Sequence, residues 1–282
     1  MNVGLIQVDG KLPNIALMKL SKFHKDRGDN VKLIDLSTLN IDKWYGSKIF
    51  MGGSGYNVNV KLPDCIDELV PDYELYNKDY SIGFTSRGCI RNCGFCIVKE
   101  KEGSFKDEDM KWIKHSKVIL IDNNFLASDK CIEKLKYFID NKIKVCFNQG
   151  LDIRLITKEI IDVLKDVKYY DLNFNRRRLY FAWDDLAYEK YVIDGIKLLL
   201  DNGIRSSHLM FYVLCGFNTT FEQDYYRFKV LDDLGCLPFI MLYNNCKDKK
   251  LRDFSRWVNK RYYKVCKFEE YNKLFLKGEF KK

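Results

Sequence analysis

Histidine is scarce in this chain. His24, His115 and His208 stand far apart and no HxxxH pair occurs, which leaves little imidazole from which to complete a zinc site. Long apolar runs are missing as well. No stretch is long enough to span a bilayer, and the opening Met1-Asn2-Val3-Gly4-Leu5-Ile6 has no basic segment leading into a sustained apolar one. No membrane partner is therefore expected. The glycines compose no dinucleotide fingerprint, since Gly52-Gly53-Ser54-Gly55 is an isolated turn. Cysteine, by contrast, is plentiful at ten residues in 282. Without a secretion signal, that number points to a reducing cytoplasm and away from a disulfide framework. Seven of the ten (Cys65, Cys131, Cys146, Cys215, Cys236, Cys246 and Cys266) share no short spacing, and most read as buried small hydrophobes.

The other three are Cys89, Cys93 and Cys96, in Gly88-Cys89-Ile90-Arg91-Asn92-Cys93-Gly94-Phe95-Cys96. Ten cysteines scattered at random would produce this spacing in roughly one chain in a hundred. Thiolates select zinc, Cu(I) or iron–sulfur clusters, and closed zinc sites and ordinary electron-transfer clusters recruit four protein ligands. Three ligands leave a coordination position open.

This stretch resembles the CxxxCxxC signature of the radical S-adenosylmethionine (SAM) enzymes, including the aromatic Phe95 just before the third cysteine. The resemblance implies a [4Fe-4S] cluster ligated by Cys89, Cys93 and Cys96, SAM on the remaining iron, reductive cleavage to a 5′-deoxyadenosyl radical, and a flavodoxin- or ferredoxin-type electron donor. It also implies that Phe95 helps to position adenine.

The pattern around the trio is α/β. Residues 3–8 and 31–36 read as strands flanking a helix over 14–28, with a further strand predicted from Ser47 to Met51 and an irregular connection marked by Pro63 and Pro71. From Ser81, strands at 81–86, 117–122, 144–148, 178–183, 207–215 and 237–243 alternate with helices near 129–141, 157–167, 187–202 and 219–235. This predicts parallel strands with crossover helices. Six repeats match the partial (β/α)6 TIM-like barrel that the resemblance implies, behind a small Rossmann-like βαβ unit. The expected division is an accessory unit over 1–78, the barrel over 79–246 and a basic aromatic extension over 247–282.

In a parallel barrel, ligands gather where strands end. The second strand runs into Asp122-Asn123-Asn124-Phe125, where the family contacts the methionyl amino group, although the usual Gly-Gly-Glu is absent. The third ends in Asn148-Gln149-Gly150-Leu151-Asp152-Ile153-Arg154, the fourth in Trp183-Asp184-Asp185, the fifth in Cys215-Gly216-Phe217-Asn218 and the sixth in Tyr243-Asn244-Asn245. Asp122, Asn123, Gln149, Asp184 and Gly216 are accordingly the candidate SAM contacts, with Gly216 allowing backbone to approach the adenosyl group. Thr219 and Glu222 form a Thr-x-x-Glu capping box at the start of a helix, and Ser128 or Asp129 and Asp185 are further cap candidates.

The N-terminal unit is similar to the start of cobalamin-binding domains, but Lys11 stands where their cobalt-ligating histidine would, and its protonated amine has no lone pair. Cobalamin is not expected. From Lys247 onward, thirteen Lys/Arg face five Asp/Glu, with Phe254, Trp257, Tyr262, Tyr263, Phe268, Tyr271 and Phe275 interleaved. Such a segment suits nucleic acid, a phosphorylated substrate or an acidic electron donor, or is an amphipathic helix with packed aromatics and solvated lysines. The competing functions are a zinc-stabilised nucleic-acid-binding module using that segment, and an electron carrier. Peptide, nucleic-acid and small-molecule substrates stay open.

Overall fold

The computed structural model describes residues 1–35, 38, 40–49, 64–244 and 246–271. The elements in chain order are β1 (Asn2–Gln7), α1 (Ile15–Lys25), β2 (Asn30–Leu33), β3 (Lys43–Ser47), β4 (Ser81–Gly83), β5 (Ser86–Arg87), α2 (Val98–Glu102), β6 (Lys106–Asp107) and β7 (Lys117–Leu120). They continue with α3 (Cys131–Asp140), β8 (Lys144–Phe147), α4 (Lys158–Leu164), β9 (Lys168–Tyr169), β10 (Leu179–Ala182), α5 (Glu189–Asp201), β11 (Leu209–Cys215), α6 (Phe221–Asp233), β12 (Leu237–Leu242) and α7 (Lys249–Asn259). Among the described residues, no helix is long and apolar enough to cross a membrane. By its internal contacts the chain divides into two compact units, Met1–Thr85 with Glu108–Leu120, and Ser86–Asp107 with Ile121–Lys282.

In the first unit, β1 lies between β2 and β3 in a parallel sheet. Val3 and Leu5 on β1 pack with Leu17 and Leu20 of α1, Tyr45 of β3 and Ile66. Burying each such side chain contributes about 1.5–3 kcal/mol. Asn14 caps α1 by accepting the Leu17 N–H at 3.1 Å and ties it to β3 by donating to Ser47 Oγ at 2.8 Å. The strand predicted at 47–51 forms four residues earlier: β3 is an edge strand with one buried residue, Tyr45, so its apolar signal is faint. The Gly52-Gly53-Ser54-Gly55 turn and Pro63 lie outside the described residues. Strands β4 and β7 pair in parallel, Ile82 opposite Ile119. The strand expected over 81–86 stops at Gly83 because Ser86 and Arg87 pair antiparallel with Asp107 and Lys106 instead.

In the second unit, β10, β11 and β12 form a parallel sheet, while β8 pairs with β9 and a Leu151–Phe181 bridge continues alongside β10. No closed barrel is traced among the described residues. Helix α5 is amphipathic, burying Val192, Gly195, Ile196 and Leu199. The helix after β11 is capped one residue later than its sequence suggests: Thr220 and Gln223 form the reciprocal box. The Thr-Thr pair offers two overlapping matches, and Thr219 Oγ1 is left buried without a partner. Among the described aromatic residues of the C-terminal segment, Phe254, Trp257, Phe268 and Tyr271 are buried, while Tyr262 and Tyr263 are partly exposed. Phe254, Trp257 and Phe268 pack against Phe221, Tyr225 and Phe228 of α6, with Phe254 fully buried.

Candidate functional site

The cysteine loop begins at a turn that only glycine fits comfortably. Gly88 has φ +69°, and a Cβ there would lie 2.4 Å from the Ser104 carbonyl oxygen. Its N–H donates to Glu102 Oε2 at 3.1 Å, and the same oxygen accepts from Asn123 Nδ2 at 2.7 Å. Cys89 Sγ accepts from the Arg91 N–H (3.3 Å) and from Asn124 Nδ2 (3.7 Å). From the middle of the loop, Arg91 reaches Asp152 with an Nε–Oδ2 distance of 3.0 Å. Asp152 also binds Arg154 through Nε at 2.6 Å and Nη2 at 2.9 Å, and Asn124 Nδ2 at 3.3 Å. One buried carboxylate thus fastens the cysteine loop to the segments after β7 and β8.

These contacts border a cavity of about 330 Å³ that all three cysteines line. Phe95, Asn123, Gln149 and Asp184 line it too, joined by Asn124, Asp152, Arg154 and Tyr188. Its size is within the range of small-molecule sites. A second hollow of about 390 Å³ shares Arg91, Cys93, Arg154 and Tyr188 with it and adds Asn92 and the exposed Tyr191. Phe95 is braced edge-on by Phe217 at 5.6 Å, and Phe217 by Tyr243 at 4.7 Å, so the loops following β11 and β12 set its position. Arg154 sits 4.3 Å over the Tyr188 ring.

No protein-family model matches this chain, and none of the curated proteins does.

Two expected contacts lie elsewhere. Asp122 is buried and accepts the Ser86 N–H at 3.0 Å, serving the start of the cysteine segment without lining the cavity. Gly216 is also absent from the lining. It has φ +80° and donates its N–H to Asp224 Oδ2 at 3.2 Å, and a Cβ there would meet Leu251 Cδ1 of α7 at 3.1 Å. Its freedom therefore serves a turn and helix packing. The cap candidates act one turn early: Asp185 accepts from Ala187 N at 2.9 Å and caps the 3-10 turn ahead of α5, Ser128 accepts from Lys130 N at 3.1 Å ahead of α3, and neither α3 nor α5 has a side-chain cap of its own.

Asn124, Asp152 and Arg154 lie in the strand-end runs read from the sequence but were not singled out there, and Arg91, Tyr188 and the ion pair Arg227–Asp224 were missed altogether. This pair is fully buried at 2.6 Å, and Arg227 also donates to the Trp183 and Leu214 carbonyls, each at 2.6 Å. It clamps the ends of β10 and β11, next to Asp184. Asp152 and Arg154 share one short polar run after β8, the only local signal that could have found them; the others meet through separations the local pattern does not carry.

The electrostatics sort the two cavity carboxylates. Burial pushes the Asp184 carboxyl up to about 6, against the opposing pull of Arg227 and Arg154. Asp152 is buried too, yet its hydrogen bonds and charge pairing with Arg154 and Arg91 prevail and hold it below the usual carboxylate range. Burial raises the Cys93 thiol, Arg154 opposing and Cys96 and Cys89 adding to the rise. Metal ligation would draw that proton off.

The thiols line the cavity without meeting at a point: among the described residues, no three His, Cys, Asp or Glu side chains gather closely enough to hold one metal ion. A cluster does not demand that convergence, because each cysteine ligates a separate iron. The donor set otherwise fits a small zwitterionic ligand, with guanidinium and carboxylate groups on one wall. Asn124 adds a specific vacancy in the bonding. It is buried, and its Oδ1 has no hydrogen-bond partner, a deficit of about 1–3 kcal/mol that a ligand N–H or O–H would relieve.

Proposed function

We propose that the protein is a radical SAM enzyme, with residues 79–246 forming a partial barrel that carries a [4Fe-4S] cluster on Cys89, Cys93 and Cys96 and binds SAM in the adjoining cavity. The observation that carries this reading is that a CxxxCxxC trio shares one cavity with Asn123, Gln149, Asp184 and Arg154, at the carboxyl ends of β8 and β10. When bound, the cluster and SAM supply one-electron cleavage and a carbon radical able to abstract hydrogen from a substrate.

The chain's own groups do the holding. Arg154 offers its cationic edge to the SAM carboxylate, while Asp184 and the orphaned Asn124 Oδ1 accept from its ammonium. Phe95, held by Phe217, supplies an aromatic face for adenine. The Arg91–Asp152 pair fixes the loop that presents the thiols. A flavodoxin- or ferredoxin-type donor in a reducing cytoplasm would deliver the electron. Cobalamin has no place in this reading, and the hydrogen donor is unnamed.

The test is elemental and uses anaerobically reconstituted protein. Wild-type protein is expected to carry iron and acid-labile sulfide in equal amounts, and Cys89→Ala, Cys93→Ala and Cys96→Ala are expected to lose most of both while remaining folded. Zinc in place of iron, lost in the same variants, would overturn the proposal in favour of a zinc-stabilised module.

A further inference from the structure

The amino ends of the strands in the second unit form a cationic edge, at the opposite ends of β8 and β10 from the cavity. Lys144 and Lys168 stand directly opposite each other in the β8–β9 register, a like-charge pairing that costs stability. Arg176, Arg177 and Arg178 lead into β10, and Arg205 and His208 lead into β11. Arg178 is buried and donates to the Ser207 carbonyl at 2.9 Å. Arg177 lies 3.7 Å over the Tyr169 ring and 5.9 Å from that of Tyr170, with its Nε buried and unpartnered. Tyr169 in turn bonds His208 Nδ1 at 3.0 Å.

The crowding shows in the titration of the group. Burial lowers the Arg178 pKa, and Arg261 and Arg176 lower it further. Burial and then Arg177, Arg205 and Arg178 lower that of His208. The nearby carboxylate is Asp171, whose Oδ1 already accepts the Asn175 N–H at 2.9 Å. Among the described residues, none of these lysines and arginines sits in an ion pair.

We infer that this edge, centred on Arg176, Arg177 and Arg205 beside Tyr169 and Tyr170, binds the phosphate backbone of a single-stranded polynucleotide. The inference is independent of the cysteine trio. Like charges held together with Asp171 as the carboxylate beside them call for an anionic partner, and the planar guanidinium fork matches phosphate. The choice of a polynucleotide over an acidic peptide rests on the aromatic component. Tyr169 is buried and carries Arg177 on its face, whereas Tyr170 is partly exposed, with Lys144 5.2 Å over its ring; cationic groups beside an accessible ring are the combination by which proteins hold single strands.

The experiment is fluorescence anisotropy on the full chain with labelled 20-nucleotide single-stranded RNA and DNA, titrated with salt. Labelled poly-glutamate serves as the acidic-peptide probe. Wild-type protein is expected to bind the oligonucleotides with affinity falling steeply as salt rises. Arg176→Gln/Arg205→Gln replaces two exposed side chains and removes two phosphate contacts. It should lower the log–log salt slope by about 1.4 and the affinity at 0.1 M salt about 25-fold. Arg177→Gln should weaken binding as well, while Lys249→Gln/Lys250→Gln on α7 should leave it unchanged. Oligonucleotide binding that is absent at low salt, an unchanged slope in Arg176→Gln/Arg205→Gln, or poly-glutamate binding as tight as RNA would overturn the inference.

Discussion

Removing the Arg227 guanidinium should be among the most damaging single changes available to this protein. Arg227 and Asp224 have no exposed side-chain surface, so Arg227→Met would leave a buried carboxylate without its cation, held by the Gly216 N–H and the Cys215 thiol, and strip the donors from the Trp183 and Leu214 carbonyls. Breaking a buried pair in this way costs about 3–5 kcal/mol, a large share of the roughly 5–15 kcal/mol that holds a domain folded. Asp224→Leu leaves the guanidinium buried against two carbonyls and should cost a similar amount. The double variant removes both charges and retains only the unpaired backbone groups, so its loss should fall about 3 kcal/mol or more short of the sum of the singles. Urea unfolding followed by tryptophan fluorescence reads this directly, since Trp183 is fully buried and its carbonyl accepts from Arg227. Additive losses, or an Arg227→Met variant within 1 kcal/mol of wild type, would refute the clamp.

Three other outcomes follow from the site. Asp184 has its folded pKa raised from 3.8 to about 6, so the folded state holds that proton more tightly than the unfolded one. Stability should fall by up to about 3 kcal/mol as pH rises through that window. Asp184→Asn should flatten this part of the pH profile and be the more stable protein at pH 8; an unchanged slope would contradict the assignment. Gly88→Ala forces a side chain into φ +69° and toward the Ser104 carbonyl, a strain of about 1–2 kcal/mol before the clash is counted, and should lower iron incorporation in reconstituted protein. Asp152→Ala frees Arg91 and Arg154 together and should reduce iron content at least as much as it reduces thermal stability; normal loading would show that the Arg91–Asp152 pair does not hold the loop.

What the sequence made legible was periodic and local. The strands at 117–120, 144–147, 179–182 and 237–242 each lie within one or two residues of their predicted bounds, because buried parallel strands are short unbroken apolar runs. The helices over 131–140, 189–201 and 221–233 follow from amphipathic spacing in the same way. Edge pairing was harder to read: β9 is two residues long, and β5 pairs with β6 across the whole cysteine loop. The site divides along the same line. Phe95, Asn123, Gln149 and Asp184 were visible as polar or aromatic residues at strand ends or beside the trio. Arg91 meets Asp152 across 61 positions and Arg227 meets the Trp183 carbonyl across 44, and nothing in a local pattern encodes either meeting. Asp122 is ambiguous for a related reason. A carboxylate closing an apolar strand looks the same whether it faces a ligand or, as here, the Ser86 N–H.

The central claim is that the trio and its cavity cleave SAM, and product analysis addresses it most directly. Anaerobically reconstituted protein, reduced in the presence of SAM, should release 5′-deoxyadenosine and methionine detectable by mass spectrometry, and the Cys89→Ala, Cys93→Ala and Cys96→Ala variants should release neither. Failure of iron-loaded, folded wild-type protein to form 5′-deoxyadenosine, or equal formation by the cysteine variants, would contradict the account.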